Sequence, residues 1–317
     1  MPHLVLGATG AFGGAVLREL RRRGESVRVL LRNPEKLPPM EGVEVIQGNA
    51  MHRGAVIDAA KDCESIFQGL NTPFSNWRPE LVLLHESAIE AAGLSGATLV
   101  LPGTFFPARP IFDVPLPPQT WEPMPLDFVS ELGKIRQDME AELIQNSELR
   151  EVRSIVLRSG DFFGPGVVNP IVGPMFQAAL EGKAVPWLLN PDIAHLFHYV
   201  DDVAALAVEL LGVKGRPAFE VVNVPGHLLN GHEWSKSLGE AVGKGKLGVQ
   251  GLGSLRLWLE ALFSAEGRHR AAALPVWKGS YQVDDRPTRQ MLPSLRQTPL
   301  EEALRATVDW YRSRKPA

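Results

Sequence analysis

Glycines at positions 7, 10 and 13 constrain this chain more than any other feature. They follow the β-prone run His3-Leu4-Val5-Leu6, and an apolar helical pattern (Ala15, Val16, Leu17, Leu20) starts directly behind them. Strand, tight turn and helix start in that order make an anion site. The first glycine turns the chain, the second lets backbone approach a pyrophosphate, and the third allows close helix–strand packing. Free N–H groups at the helix N-terminus point to the same place. Gly7, Thr9, Gly10, Ala11, Phe12 and Gly13 are therefore candidate cofactor contacts.

The second strand, Val27 to Leu31, runs into Arg32-Asn33-Pro34-Glu35-Lys36. Folds that prefer NAD place an acid at the end of this strand to hold the ribose 2′-hydroxyl. Here that place holds Leu31 and Arg32. Arg32, with Lys36 one turn further, suits the 2′-phosphate of NADP through charge-assisted hydrogen bonds, so NADP is expected over NAD. Two solvated loop charges are the other reading.

Further strands are expected at Val43 to Gln47, Ser65 to Leu70, Ala97 to Leu101, Ser154 to Leu157 and Phe219 to Val224. Helices are expected at Ala55 to Ala60, Leu81 to Ala92, Leu126 to Ser147, within Val167 to Val185, in His198 to Leu211 after an acidic turn, at Asn230 to Val242 and at Pro299 to Arg312. Such alternation predicts an α/β fold with a doubly wound parallel sheet, whose ligands sit at the carboxyl ends of the strands. Asn49 and Ala50 then become candidates for the adenine, and Leu70, Asn71 and Thr72 for the ribose side. Asp201 or Asp202 reads as an N-cap, and Thr298-Pro299 as a cap with proline at the first helical position. Leu252 to Phe263 is apolar at helical spacing. It is expected to be a lid over the substrate cleft, with a membrane-surface or partner-binding face as the alternatives.

At 317 residues, 44% of them hydrophobic, the chain can bury a large domain and a smaller companion. A net charge of -3 gives no pull toward nucleic acid or an anionic membrane, so neither is expected as a partner. The single cysteine, Cys63, excludes an internal disulfide and a Cys-rich zinc site. No metal is expected, and the cysteine usage and lack of an apolar leader predict a soluble cytoplasmic protein.

Several segments together resemble the short-chain dehydrogenase/reductases, in their extended or atypical branch with NAD-dependent epimerase/dehydratase-like sequences. These are Gly7-Ala-Thr-Gly10-Ala-Phe-Gly13 (TGxxGxxG), Leu157-Arg-Ser-Gly-Asp-Phe-Phe-Gly-Pro-Gly166 (LRPGNxYGPG), Tyr199-Val-Asp-Asp-Val-Ala204 (VDDVA), and Thr298-Pro-Leu-Glu-Glu-Ala-Leu304 with Trp310-Tyr311. The resemblance implies a Rossmann domain over 1–164, to which 196–222 and the 299–312 helix return, and a smaller substrate domain from 165–195 and 223–298. It also implies a Tyr-x-x-x-Lys pair on the long helix, the tyrosine moving the substrate proton. Matching Glu131-Leu132-Gly133-Lys134-Ile135-Arg136 to that pattern puts Leu132 at the tyrosine and Arg136 at the lysine; a frame two residues earlier pairs Ser130 with Lys134. Leucine cannot transfer a proton.

By the same resemblance Thr104 orients the substrate oxygen, and Arg136 is left to hold the cofactor ribose or a substrate carboxylate. Sugar-nucleotide members carry an arginine just before VDDVA, where this chain reads Ile193-Ala194-His195-Leu196-Phe197-His198. His195 and His198 are either an acid/base pair or structural groups. The implied function is an NADP-binding oxidoreductase acting on a small, mostly apolar carbonyl compound without the usual tyrosine. A non-catalytic NADP-binding redox sensor or interaction protein is the alternative, as is an epimerase or dehydratase with tightly held cofactor. The expected partner is a small-molecule substrate, and a homodimer is left open.

Overall fold

The computed structural model describes residues 1–73, 76–104, 109–110, 126–127, 131–149, 152–280 and 283–314. In chain order the first strands are β1 (His3–Leu6), β2 (Val27–Leu31), β3 (Val43–Gln47), β4 (Ser65–Gln68) and β5 (Thr98–Thr104). The short pair β6 (Arg109–Pro110) and β7 (Leu126–Asp127) follows, then β8 (Ser154–Ser159), β9 (Asp161–Phe163), β10 (Val185–Leu188) and β11 (His195–Tyr199). The last are β12 (Phe219–Asn223), β13 (His227–Leu229) and β14 (Val249–Leu252). Helices α1 (Ala11–Arg22), α2 (Arg53–Ala60), α3 (Val82–Ser95), α4 (Glu131–Leu149), α5 (Val172–Glu181) and α6 (Val200–Leu211) lie between them. The chain closes with α7 (Gly231–Val242), α8 (Ser254–Phe263), α9 (Ala265–Trp277), α10 (Arg286–Met291) and α11 (Leu300–Ser313).

Seven strands form a parallel sheet in the order β3-β2-β1-β4-β5-β8-β12, with the reversal of direction between β1 and β4. Strands β1, β4 and β8 are buried along their whole length because helices cover both faces. One face packs on α1 and α6 through Val16, Leu20, Val203 and Leu206. The other packs on α2, α3 and α4 through Val56, Ala88, Ile89 and Leu143. In such a sheet the crevice at the switch point, beyond the strand C-termini, is where ligands bind.

A second core gathers Trp187, Trp234, Trp277, Phe176 and Phe197 with α5, α7, α9 and α11. It rests on two small sheets, β13-β11-β9 and β10-β14. Parallel pairing of β9 with β11 sets Asp161 beside Phe197 and carries this core up to the strand ends of the main sheet. His198 locks the corner: its Nδ1 accepts from Gly160 N at 3.0 Å and its Nε2 donates to Val224 O at 2.9 Å.

Four local expectations need correction. Leu126 and Asp127 do not open a helix; they pair with β6, and α4 starts at Glu131. Helical periodicity does not reveal such long-range pairing. Neither Asp201 nor Asp202 caps α6, whose N-cap is Tyr199. Asp201 instead accepts from Arg18 at 2.5 Å and Tyr199 at 3.1 Å, and Asp202 accepts from Thr298 N at 2.9 Å and its hydroxyl at 2.5 Å. Thr298 is thereby spent outside α11, whose N-cap is Pro299. Finally, α8 is no lid: Leu255, Trp258 and Phe263 are exposed and its buried residue is Leu257. Among the described residues, no helix is long and apolar enough to cross a membrane.

Candidate functional site

The glycine turn is built so tightly that side chains are excluded. Gly7 has φ +82°, and a Cβ on Gly13 would stand 2.3 Å from the Gly7 carbonyl oxygen. Gly69, at the end of β4, has the same constraint, since its Cβ would come within 2.9 Å of Gly13 N. The N-terminus of α1 is thus pressed between β1 and β4, with Gly10 as its N-cap and Gly10 N donating to Gly7 O at 2.9 Å. No side chain caps it and its first turn has no acid. The first N–H groups of a helix have no partner within it, so this end is open to an anion. Such a cradle fits the pyrophosphate of a dinucleotide.

A cavity of about 480 Å³ opens from this turn and runs along the ends of β4, β5 and β8. Thr9, Gly10, Ala11, Phe12, Leu70, Asn71 and Arg136 of the sequence candidates line it. Gly7 and Gly13 lie behind it as the turn's frame. Thr72 sits at its margin, and its buried hydroxyl oxygen has no hydrogen-bond partner. Arg32 and Lys36 are exposed beyond β2, outside this cavity, and no ion pair engages either among the described residues. Asn49 and Ala50 also lie outside it: Asn49 Oδ1 accepts from Met51 N at 3.1 Å, and Ala50 packs on the core beneath α2. For Thr104 the described part is its backbone, which pairs with Ser159 at the cavity's edge; its side chain, that of Leu132, and Ser130 lie outside the described residues.

Three cavity residues had no place in the sequence reading of the site. Trp77, in the π-turn Trp77–Leu81 before α3, donates its indole N–H to Thr72 O at 3.0 Å and forms a platform under Arg136, whose guanidinium carbon is 4.4 Å from the ring centroid. His269 reaches in from α9, and burial takes it down to about 4, so it is neutral near pH 7. Asp161 opens β9, and burial pushes its carboxyl up to about 7 although the indole N–H of Trp277 donates to it. A signal for Asp161 was present, since it occupies the Asn position of LRPGNxYGPG. Its changed acidity was not, because that comes from burial in the assembled crevice, which outweighs the opposing Trp277 hydrogen bond.

The two histidines considered as an acid/base pair stand elsewhere. His195 is buried and stacked on Trp277 at 3.9 Å, and burial drives it down to about 3. Burial likewise takes His198 to about 4, with both ring nitrogens engaged as above. Of the chain's three tyrosines, the two among the described residues do not supply the missing proton carrier either. Tyr199 bonds Asp201, Tyr311 donates to Val167 O at 2.7 Å, and Tyr281 lies outside the described residues.

Turn, switch-point crevice and strand order define an α/β fold of the Rossmann type. Residues 7–150 match the family model described as NAD(P)H-binding. Similar solved structures include an epimerase from Methanothermobacter thermautotrophicus, with TM-score 0.78 and 17% identity over 98% of this chain and 92% of that one. UDP-glucose 4-epimerase from Thermotoga maritima, solved with UDP-glucose, gives 0.75 and 18% over 98% and 99%. UDP-glucose 4-epimerase from Thermus thermophilus, solved with NAD, gives 0.70 and 19% over 99% of both chains. These likenesses extend the shared fold over both cores. No curated protein matches the chain in sequence.

Proposed function

We propose that the crevice binds NADP(H) and that the protein is an oxidoreductase acting on a small carbonyl compound, with Asp161 in the proton-transferring role that tyrosine has in the resembled family. The observation that carries this reading is the presence, in one cavity, of the phosphate turn and a carboxyl group that keeps its proton near neutral pH. A bound reduced nicotinamide would supply hydride to the carbonyl carbon. The carbonyl oxygen then takes the Asp161 proton, giving the alcohol and an ionised Asp161 that recovers a proton from solvent. Leu70, Asn71 and the glycine turn would hold the cofactor's ribose and pyrophosphate, and Arg32 with Lys36 its 2′-phosphate. Cavity walls made by Trp77, Leu81, Leu101, Met139 and Ile171 suit an apolar substrate body.

The neighbours' UDP-sugar chemistry is the second reading. It has less support here, because β11 is buried along its whole length and offers no arginine for a diphosphate. It also lacks a tyrosine on α4. The test is NADPH oxidation by purified protein over a panel of carbonyl compounds, with and without Asp161→Asn. Turnover that falls steeply in the variant supports the reading. Turnover unaffected by the substitution removes Asp161 from the mechanism, and NADPH binding with no turnover on any substrate favours a sensor or interaction protein.

A further inference from the structure

Among the described residues Arg136 is a cation with no ion-pair partner, and Glu140 is the carboxylate that acts on it through space. The Nε of Arg136 is buried with no hydrogen-bond partner among the described residues. Glu140, one turn along α4, is held by the buried Arg158 at 2.7 Å. His85, behind α4, is neutral through burial and bonds Met139 O at 3.0 Å. Of the other titratable side chains lining the cavity, Asp161 and His269, neither is a full charge between about pH 4 and pH 7. Burial is unfavourable enough to take the Arg136 pKa down to about 10. Trp77 nevertheless fixes the guanidinium plane at the cavity wall.

A buried guanidinium is stable when an anion meets it, and its planar fork matches a carboxylate with two parallel hydrogen bonds. The cofactor's pyrophosphate has its own site at the N-terminus of α1. We infer that Arg136 receives a carboxylate of the substrate, which makes the substrate an oxo acid with an apolar remainder lying against Trp77, Leu81 and Met139. The inference rests on the proposed function for the carbonyl and deepens it by naming the substrate class. Electron and proton flow are those given above; the carboxylate is bound and unchanged.

The test separates this from the cofactor reading by using unreactive probes. Phenylacetate, 4-methylpentanoate and hexanoate are each titrated calorimetrically against their matching amides, with no cofactor present. At least one acid is expected to bind about tenfold or more tighter than its amide, a margin that follows from one charge-assisted pair. Arg136→Met is expected to remove that margin, and Arg136→Lys to restore part of it by keeping the charge without the fork. The inference is overturned if every acid binds no better than its amide, a result read on the unmodified protein and independent of whether the variants fold. It is also overturned if Arg136→Met weakens NADPH while leaving acid binding unchanged, for then the guanidinium serves the cofactor. An acid-over-amide margin that persists while NADPH fails to bind sinks the cofactor reading and leaves this one standing.

Discussion

Replacing Asp161 with asparagine separates a catalytic acid from a structural carboxylate, because the two make opposite predictions for stability. In the unfolded chain the carboxyl ionises from its ordinary value of 3.8, whereas in the fold it keeps its proton to about 7. The folded state binds more protons in that window, so this group's contribution to stability falls as pH rises from about 4 to about 7 and stays reduced above it. Three units at about 1.4 kcal/mol each set an upper bound of about 4 kcal/mol. Asp161→Asn keeps the acceptor for the Trp277 N–H and removes this penalty, so at pH 8 the variant is expected to be more stable than the parent by up to that amount. Its carbonyl-reducing kcat is expected to drop by about 10²–10⁴, the range for losing a positioned acid. In the parent, kcat for reduction should be level below about pH 7 and fall tenfold per unit above it, a limb the variant lacks. Urea denaturation at pH 6 and 8 and a pH–rate profile read all three effects. A variant less stable at pH 8, or one with the parent's limb intact, refutes the assignment.

Trp277→Phe removes a donor that favours the ionised carboxyl, so the basic limb should move above pH 7 with little change in the plateau rate; a limb moved downward contradicts the cause given for the shift. Gly13→Ala places a methyl group 2.3 Å from the Gly7 carbonyl and forces α1 off β1, which should cost about 1–3 kcal/mol of stability and most NADPH affinity; unchanged binding would refute the packed turn. Burial holds His85, His198 and His269 near 4 and His195 near 3, against about 6.5 unfolded. Their stability is complete above pH 6.5 and is lost as pH falls toward 4. Less the opposite contribution of Asp161, about 1 kcal/mol, denaturation at pH 5.5 should show about 3 kcal/mol less stability than at pH 6.5, and an unchanged urea midpoint would contradict their neutrality.

Much of the first half of the fold was legible because single residues dictate it. Gly7, Gly10 and Gly13 require the turn, and the β-prone segments Val27 to Leu31 and Val43 to Gln47 coincide with β2 and β3. Strands buried by helices on both faces advertise themselves as continuous apolar runs. What failed depended on partners distant in the chain. Leu126 pairs with Pro110, Asp202 with Thr298, and α8 turns Leu255, Trp258 and Phe263 outward although their spacing suggested a covered face. The site divides the same way. The phosphate turn is written in its glycines, whereas Asp161 gains its chemistry from desolvation, against the Trp277 hydrogen bond, and Arg136 from desolvation and its neighbour Trp77. A sequence shows the acid or the base, but its proton affinity belongs to the assembled crevice.

The reading of the first two strands as a site for a phosphorylated dinucleotide is tested most directly by titrating NADPH and NADH into the protein and into Arg32→Ala, following nicotinamide fluorescence. NADPH is expected to bind about 10–100-fold tighter than NADH, as one lost charge-assisted contact to the 2′-phosphate would allow, and the substitution should bring the two within a few-fold of each other. NADH bound as tightly as NADPH by the parent protein, or a preference that survives the loss of Arg32, would contradict it.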